Sequence, residues 1–169
     1  MAYVVRESQP GDATYVADLH RRLYPEEYEW GPAFIAYAEK IALDFELRPK
    51  SDKEALWIVE EVPQGQRVGS IMLCATDDPE VGQLRLLAVE KAHRRHGLGR
   101  KLVNVLLEKA RALGYKKIIL WTAAPLDSAI RQYERFGFKV VELSENNTWR
   151  TDGGKVTEIK MELDFSMGS

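Results

Sequence analysis

The chain has 169 residues, of which 45% are hydrophobic and 30% charged, and its net charge is −2. That length suits one domain able to bury about two-thirds of its unfolded surface, and the acidic balance argues against bulk nucleic-acid binding, which needs a basic excess. No apolar run reaches the roughly 18 residues of a membrane span, and Met1 to Asp12 lacks a basic-then-apolar leader pattern. The lone Cys74 fits a reducing compartment, so the expected setting is cytoplasmic.

Tyr3–Glu7 reads as a short strand, and Pro10-Gly11-Asp12 opens a helix reaching about Tyr24, with Val16, Leu19 and Leu23 on its apolar face. A second helix is expected from Pro32 to Glu46. The acidic, aromatic stretch Pro25–Gly31 between them reads as a loop. Strands follow at Leu56–Glu61 and Arg67–Ala75, joined by the turn Pro63-Gln64-Gly65. Gly82–Val89 is apolar enough to predict a nearly fully buried strand. Leu98–Leu113 is the strongest helix, with Leu98, Leu102, Leu106, Ala110 and Leu113 at helical spacing and Gly114 to end it. Lys117–Thr122 is a strand and Ser128–Phe136 a helix stopped by Gly137. Two strands close the chain, Phe138–Leu143 and Thr157–Leu163, the second alternating so that Glu158, Lys160 and Glu162 share a wet face. The order predicts a mixed α/β sheet in one domain over residues 1–165, with residues 166–169 as a frayed tail.

The segment Val89–Lys101 carries the chemistry. A strand ends, a basic loop turns, and Gly97 and Gly99 open a long helix. The first amides of a helix lack internal partners and point along the positive end of its dipole; glycines let an anion approach them. Arg94, Arg95, Arg100 and Lys101 at that end oppose the dipole at about 0.3–1 kcal/mol each, so an anion is expected to offset them. A diphosphate suits. Two rival phosphate motifs fail. After Gly99 comes Arg100-Lys101-Leu102 with no hydroxyl for a nucleotide P-loop. Leu102 occupies the third-glycine position of a dinucleotide fingerprint, and the next strand ends without an acid.

Arg94-Arg95-His96-Gly97-Leu98-Gly99 resembles the Gln/Arg-x-x-Gly-x-Gly/Ala signature of the GNAT superfamily of acyl-CoA N-acyltransferases. Ala129 to Phe138, with Tyr133 and Gly137, resembles that superfamily's second block, Ala-x-x-x-Tyr-x-x-x-Gly-Phe. The resemblance implies a mostly antiparallel sheet of six to seven strands, splayed in the middle, with about four helices on its two faces. It implies acetyl-CoA as co-substrate, an amine as acceptor, and no metal. Leu87, Ala88 and Val89 would pair with the pantetheine arm as with an added strand. Arg94, Arg95, His96, Gly97, Leu98, Gly99 and Arg100 would hold the diphosphate, with Ala129 lining the cofactor from the second block. One departure stands out: many members carry Asn three residues before that Ala, where this chain has Leu126.

The same resemblance makes Tyr133 the acid for the departing thiolate. A phenol of pKa about 10 can donate to a thiolate whose conjugate acid sits near 8.5. The alternative for Tyr133 is an amphipathic core residue between Ile130 and Phe136. The oxyanion would fall to a backbone N–H near Leu87–Val89. Gln83, at a strand position where relatives often place a basic Glu, cannot take a proton, and the sequence names no base. Glu26, Glu27, Tyr28 and Trp30 either hold a cationic amine or form an exposed acidic loop, and Trp149 is expected at the same mouth. A domain that binds acyl-CoA without catalysis is the second functional reading, and the sequence leaves monomer and homodimer open.

Overall fold

The computed structural model describes residues 2–28, 31–49, 51–124, 126–150 and 152–165, with no account of the side chains of residues 25–28. Among these residues the element order is β1 (Ala2–Glu7), α1 (Asp12–Tyr28), α2 (Pro32–Leu47), β2 (Ala55–Val62), β3 (Gln66–Ala75), β4 (Val81–Val89), a 3₁₀ turn (Lys91–His93), α3 (Leu98–Ala112), β5 (Lys117–Ala123), α4 (Asp127–Phe136), β6 (Lys139–Asn146) and β7 (Val156–Asp164). The strands form one sheet in the order β1-β2-β3-β4-β5-β7-β6, antiparallel except where β4 meets β5. This is the α/β architecture the resemblance implies.

Each sheet face collects its own helices because apolar residues alternate along the strands. Trp57, Val59, Ile71 and Leu73 face α3, whose Leu98, Leu102, Val103, Leu106 and Ala110 are buried at helical spacing; Tyr133 and Ile130 bring α4 to the same side. Leu56, Ile58, Met72 and Cys74 face the other way and bury Val16 of α1 and Ala42 of α2.

Two expectations are corrected. The loop predicted to begin at Pro25 is helical through Tyr28, so Glu26, Glu27 and Tyr28 occupy the end of α1. Proline costs a helix one hydrogen bond and ordinarily stops it, but the helix-favouring Glu26-Glu27 continue the turn. Trp30 and the tail 166–169 lie outside the described residues. The β4 strand is also less enclosed than its composition suggests, with Arg85, Leu86, Leu87 and Val89 only half-buried.

That exposure follows from the way the sheet opens. The β4 and β5 strands pair only over Val81–Gln83 and Lys117–Ile119, after which Leu84–Val89 and Leu120–Ala123 diverge. On its other side β4 stays paired to β3 but carries a bulge: Leu86 and Leu87 together oppose the single residue Ile71. Leu86 adopts φ 54, a left-handed conformation rare for a bulky side chain. Ser70, fully buried on β3, donates its hydroxyl to the Leu86 carbonyl at 2.8 Å and holds the bulge. Gly69 permits the close approach, since a Cβ there would lie 2.8 Å from the Ala88 carbonyl oxygen.

Candidate functional site

The opening between β4 and β5 leaves the backbone groups of β4 beyond Gln83 without a strand partner on that side, an arrangement that suits an extended ligand. A groove of about 850 Å³ runs from this edge to the start of α3. Its β4 wall is Leu87, Ala88 and Val89; its far end is Arg94, Arg95, Gly97, Leu98 and Gly99; its α4 wall includes Ala129 and Tyr133. Ten of the residues singled out in the sequence thus share one groove. His96 and Arg100 do not line it: both are exposed, and the His96 ring lies 5.6 Å from that of Tyr3 on β1.

The loop is shaped for its position. Arg95 at φ 70 and Gly97 at φ 72 turn the chain left-handedly, and Gly97 caps α3 without any side chain covering the first amides. Gly99 faces Gln132 of α4, whose Oε1 would lie 3.1 Å from an added Cβ. Arg94 Nε donates to the Val89 carbonyl at 3.2 Å, tying the loop to the β4 edge. At the root of the loop, Glu90 accepts from Tyr15 at 2.9 Å and from both terminal nitrogens of Arg22 at 3.0 Å. The sequence reading missed Arg131, Gln132 and Arg135, which turn toward the groove from α4. Their spacing at i, i+1 and i+4 was the available signal.

A second cavity of about 690 Å³ lies on the α1/α2 side of the split. Tyr24, Leu87, Leu126 and Tyr133 line both spaces, so these four stand where the two meet. Tyr133 is 6% exposed and stacks edge-on against Phe138 at 5.8 Å. Burial pushes its phenol well above the ordinary pKa, with Tyr24 adding a smaller push, so the group stays protonated. Among the described residues nothing hydrogen-bonds its hydroxyl. Tyr24 reaches toward the Leu87 carbonyl at 3.5 Å. Leu126 caps α4 without a side-chain hydrogen bond, at the position where the resemblance implies Asn.

The second cavity is aromatic. Phe34 packs on Tyr24 at 4.9 Å and on Trp149 at 5.1 Å, Tyr37 lies 6.0 Å from Trp149, and Trp121 enters from β5. Trp149 is set by Asn146, whose Oδ1 accepts from the Trp149 amide at 3.1 Å, while the Trp149 carbonyl accepts from the Gly31 amide. The β6–β7 connection and the start of α2 therefore meet at one mouth, as the sequence predicts for Trp149. Glu158 and Glu142 line this cavity too, so Glu158 does not simply face solvent. His20, 3% exposed, also lines it and stacks on Tyr24 at 5.4 Å. Its Nδ1 lies 2.9 Å from the Val16 carbonyl, which can only accept, so Nδ1 bears the proton. Burial lowers the His20 pKa to about 4 and keeps the ring neutral. Of the acids near the strand start, Asp77, Asp78 and Glu80 are exposed, and no group of three or more metal-ligating side chains exists among the described residues.

Known proteins resemble this chain in sequence and in fold. Residues 14–138 match the acetyltransferase (GNAT) family. N-acetyltransferase family 8 member 3 of Rattus norvegicus is 33% identical over 93 residues, 53% of this chain and 40% of that protein. Mycothiol acetyltransferase of Corynebacterium glutamicum (strain R) is 29% identical over 119 residues, 70% of this chain and 37% of its own length. The chain thus spans well under half of these curated relatives. The fold is that of yncA from Salmonella typhimurium, solved with its cofactor acetyl-CoA: the TM-score is 0.76 at 17% identity, covering 100% of this chain and 97% of that one. With the family match spanning most of its length, the chain belongs to the GNAT acetyltransferases.

Proposed function

We propose that the protein transfers the acetyl group of acetyl-CoA to a primary amine, of a small molecule or a protein, by direct attack within a ternary complex. The observation that carries this reading is the continuity of the split sheet: a free β4 edge leads from the bare amides of α3 to the buried Tyr133 side chain, whose hydroxyl has no hydrogen-bond partner among the described residues. The pantetheine arm pairs with Leu87–Val89. The diphosphate rests on the amides from Gly97 to Gly99, with Arg94 and Arg95 beside it. His96 and Arg100, whose side chains lie outside the groove, take part only through their backbone amides.

In the reaction the neutral amine attacks the thioester carbonyl from the aromatic cavity. A C–N bond forms, the C–S bond breaks, and the oxyanion is met by a backbone N–H of the bulge at Leu86–Leu87. Tyr133 gives its proton to the departing sulfur and regains one from the acylated nitrogen, leaving an amide and free CoA. The apolar surroundings that raise the phenol's pKa act in the same direction on a thiol beside it, so burial raises donor and acceptor together. The test is release of free thiol from acetyl-CoA against a panel of amines. Amine-dependent release that Tyr133→Phe suppresses supports the reading. Leu126 in place of Asn, lining the same groove as Tyr133, favours a second reading, an acyl-CoA-binding domain without catalysis. Tight CoA binding with no thiol release on any amine would decide for it.

A further inference from the structure

Arg85 is a charge in the aromatic cavity that the acetyl-transfer chemistry does not use. It stands on β4 two residues before Leu87, half-buried, and its Nε is buried with no hydrogen-bond partner. Among the described residues no carboxylate pairs with it. Its recorded polar neighbour is the Cys74 thiol, whose pKa burial raises to about 11 while Arg85 draws it partly back, so that thiol is neutral and balances nothing. A guanidinium cannot shed its proton, and its fork of donors matches a carboxylate in two hydrogen bonds. Glu142 and Glu158 stand on the β6/β7 wall of the same cavity, with Phe34, Tyr37 and Trp149 along it. The cavity therefore separates a cation on the β4 side from two anions on the other, across an apolar aromatic lining.

We infer that the acceptor is an amino acid with a free carboxylate, which Arg85 receives, while the ammonium is drawn in by Glu142 and Glu158 and the side chain lies on the aromatic wall. The inference rests on the acetyl-transfer reading above and names its substrate class. Opposite charges placed at opposite walls select a zwitterion over a simple cation or anion.

The experiment compares L-amino acids with their amides and their decarboxylated amines, by calorimetry on the CoA-loaded protein and by thiol release from acetyl-CoA. The expected result is an acid-over-amide preference of about tenfold to a hundredfold in both Kd and kcat/KM for at least one side chain. Arg85→Gln should bring that ratio close to one, and Arg85→Lys, which keeps the charge without the fork, should retain part of it. Amides that bind and react as well as the acids, or a ratio unmoved by Arg85→Gln, overturn the inference. Turnover of amines without acid preference would overturn this inference alone. Acid-selective binding without thiol release from any amine would instead overturn acetyl transfer and leave the carboxylate site standing.

Discussion

Replacing Ser70 by alanine tests whether the β4 bulge is held by one hydrogen bond and whether the cofactor needs it. The Ser70 hydroxyl is fully buried and bonds the Leu86 carbonyl at 2.8 Å, while Leu86 is held at φ 54. A left-handed leucine costs about 1–2 kcal/mol, and leaving the half-buried Leu86 carbonyl without its donor costs toward the lower end of about 1–3 kcal/mol. The two figures are of the same size, so without the hydroxyl the bulged register loses most of its margin over a regular ladder. A protein whose competent state falls to a tenth of the population binds its ligand about tenfold more weakly. Ser70→Ala should therefore raise the Kd for CoA about tenfold by calorimetry, while the urea midpoint falls modestly with an unchanged m-value. A lowered midpoint with wild-type CoA affinity would refute the reasoning, because it would make Ser70 a support of the sheet and nothing more.

Other consequences are separable. Tyr133→Phe should lower kcat by roughly 10²–10⁴-fold with little change in CoA affinity, measured by thiol release and calorimetry; a comparable loss of CoA binding would mean a packing role instead. Gly97→Ala places a Cβ at φ 72 in open space, so its cost is backbone strain of about 1–2 kcal/mol together with weaker CoA binding. Gly65→Ala, at φ +75 in the β2–β3 turn and equally open, should match the stability loss and leave CoA binding alone. Asp12, buried at the start of α1, accepts from Arg6 at 2.7 Å, from Arg67 at 3.1 Å and from the Gln9 amide at 2.6 Å. Burial acts to raise its pKa, but these three donors outweigh it and the pKa is lowered. A depressed folded pKa gives stability that is present above the unfolded value near 3.9 and is lost as pH falls through the folded one. Asp12→Asn should be less stable at neutral pH and show a shallower acid limb in urea titrations; parallel limbs would remove Asp12 from the account.

Much of this molecule was legible in its sequence where local pattern and tertiary environment agree. The spacing of Leu98, Leu102, Leu106 and Ala110 gave α3, and Gly114 and Gly137, at φ 88 and 102, end α3 and α4 as glycines should. The two motif blocks and the strand before them placed ten residues in one groove because a helix start and a strand edge fix backbone positions that short sequence can specify. The bulge was invisible. Leu84-Arg85-Leu86-Leu87 reads as an uninterrupted strand, and the hydroxyl that bends it comes from Ser70, sixteen residues earlier. Arg131, Gln132 and Arg135 look like an ordinary solvated helix face until α4 is laid beside α3. Arg85 reads as one polar residue in an apolar run, and only the divergence of β4 from β5 turns it toward a cavity. Pro25 misled because a local stop signal was overruled by the helix around it.

The account turns on the parted strands and the glycine-capped helix forming one binding surface. Hydrogen exchange with and without CoA, resolved to short peptides, reads that surface directly. Protection concentrated at Leu86–Val89 and Gly97–Gly99, with little change at the distant β1–β2 pair, is the predicted result. Saturating CoA that leaves both segments exchanging at their unliganded rates would contradict it.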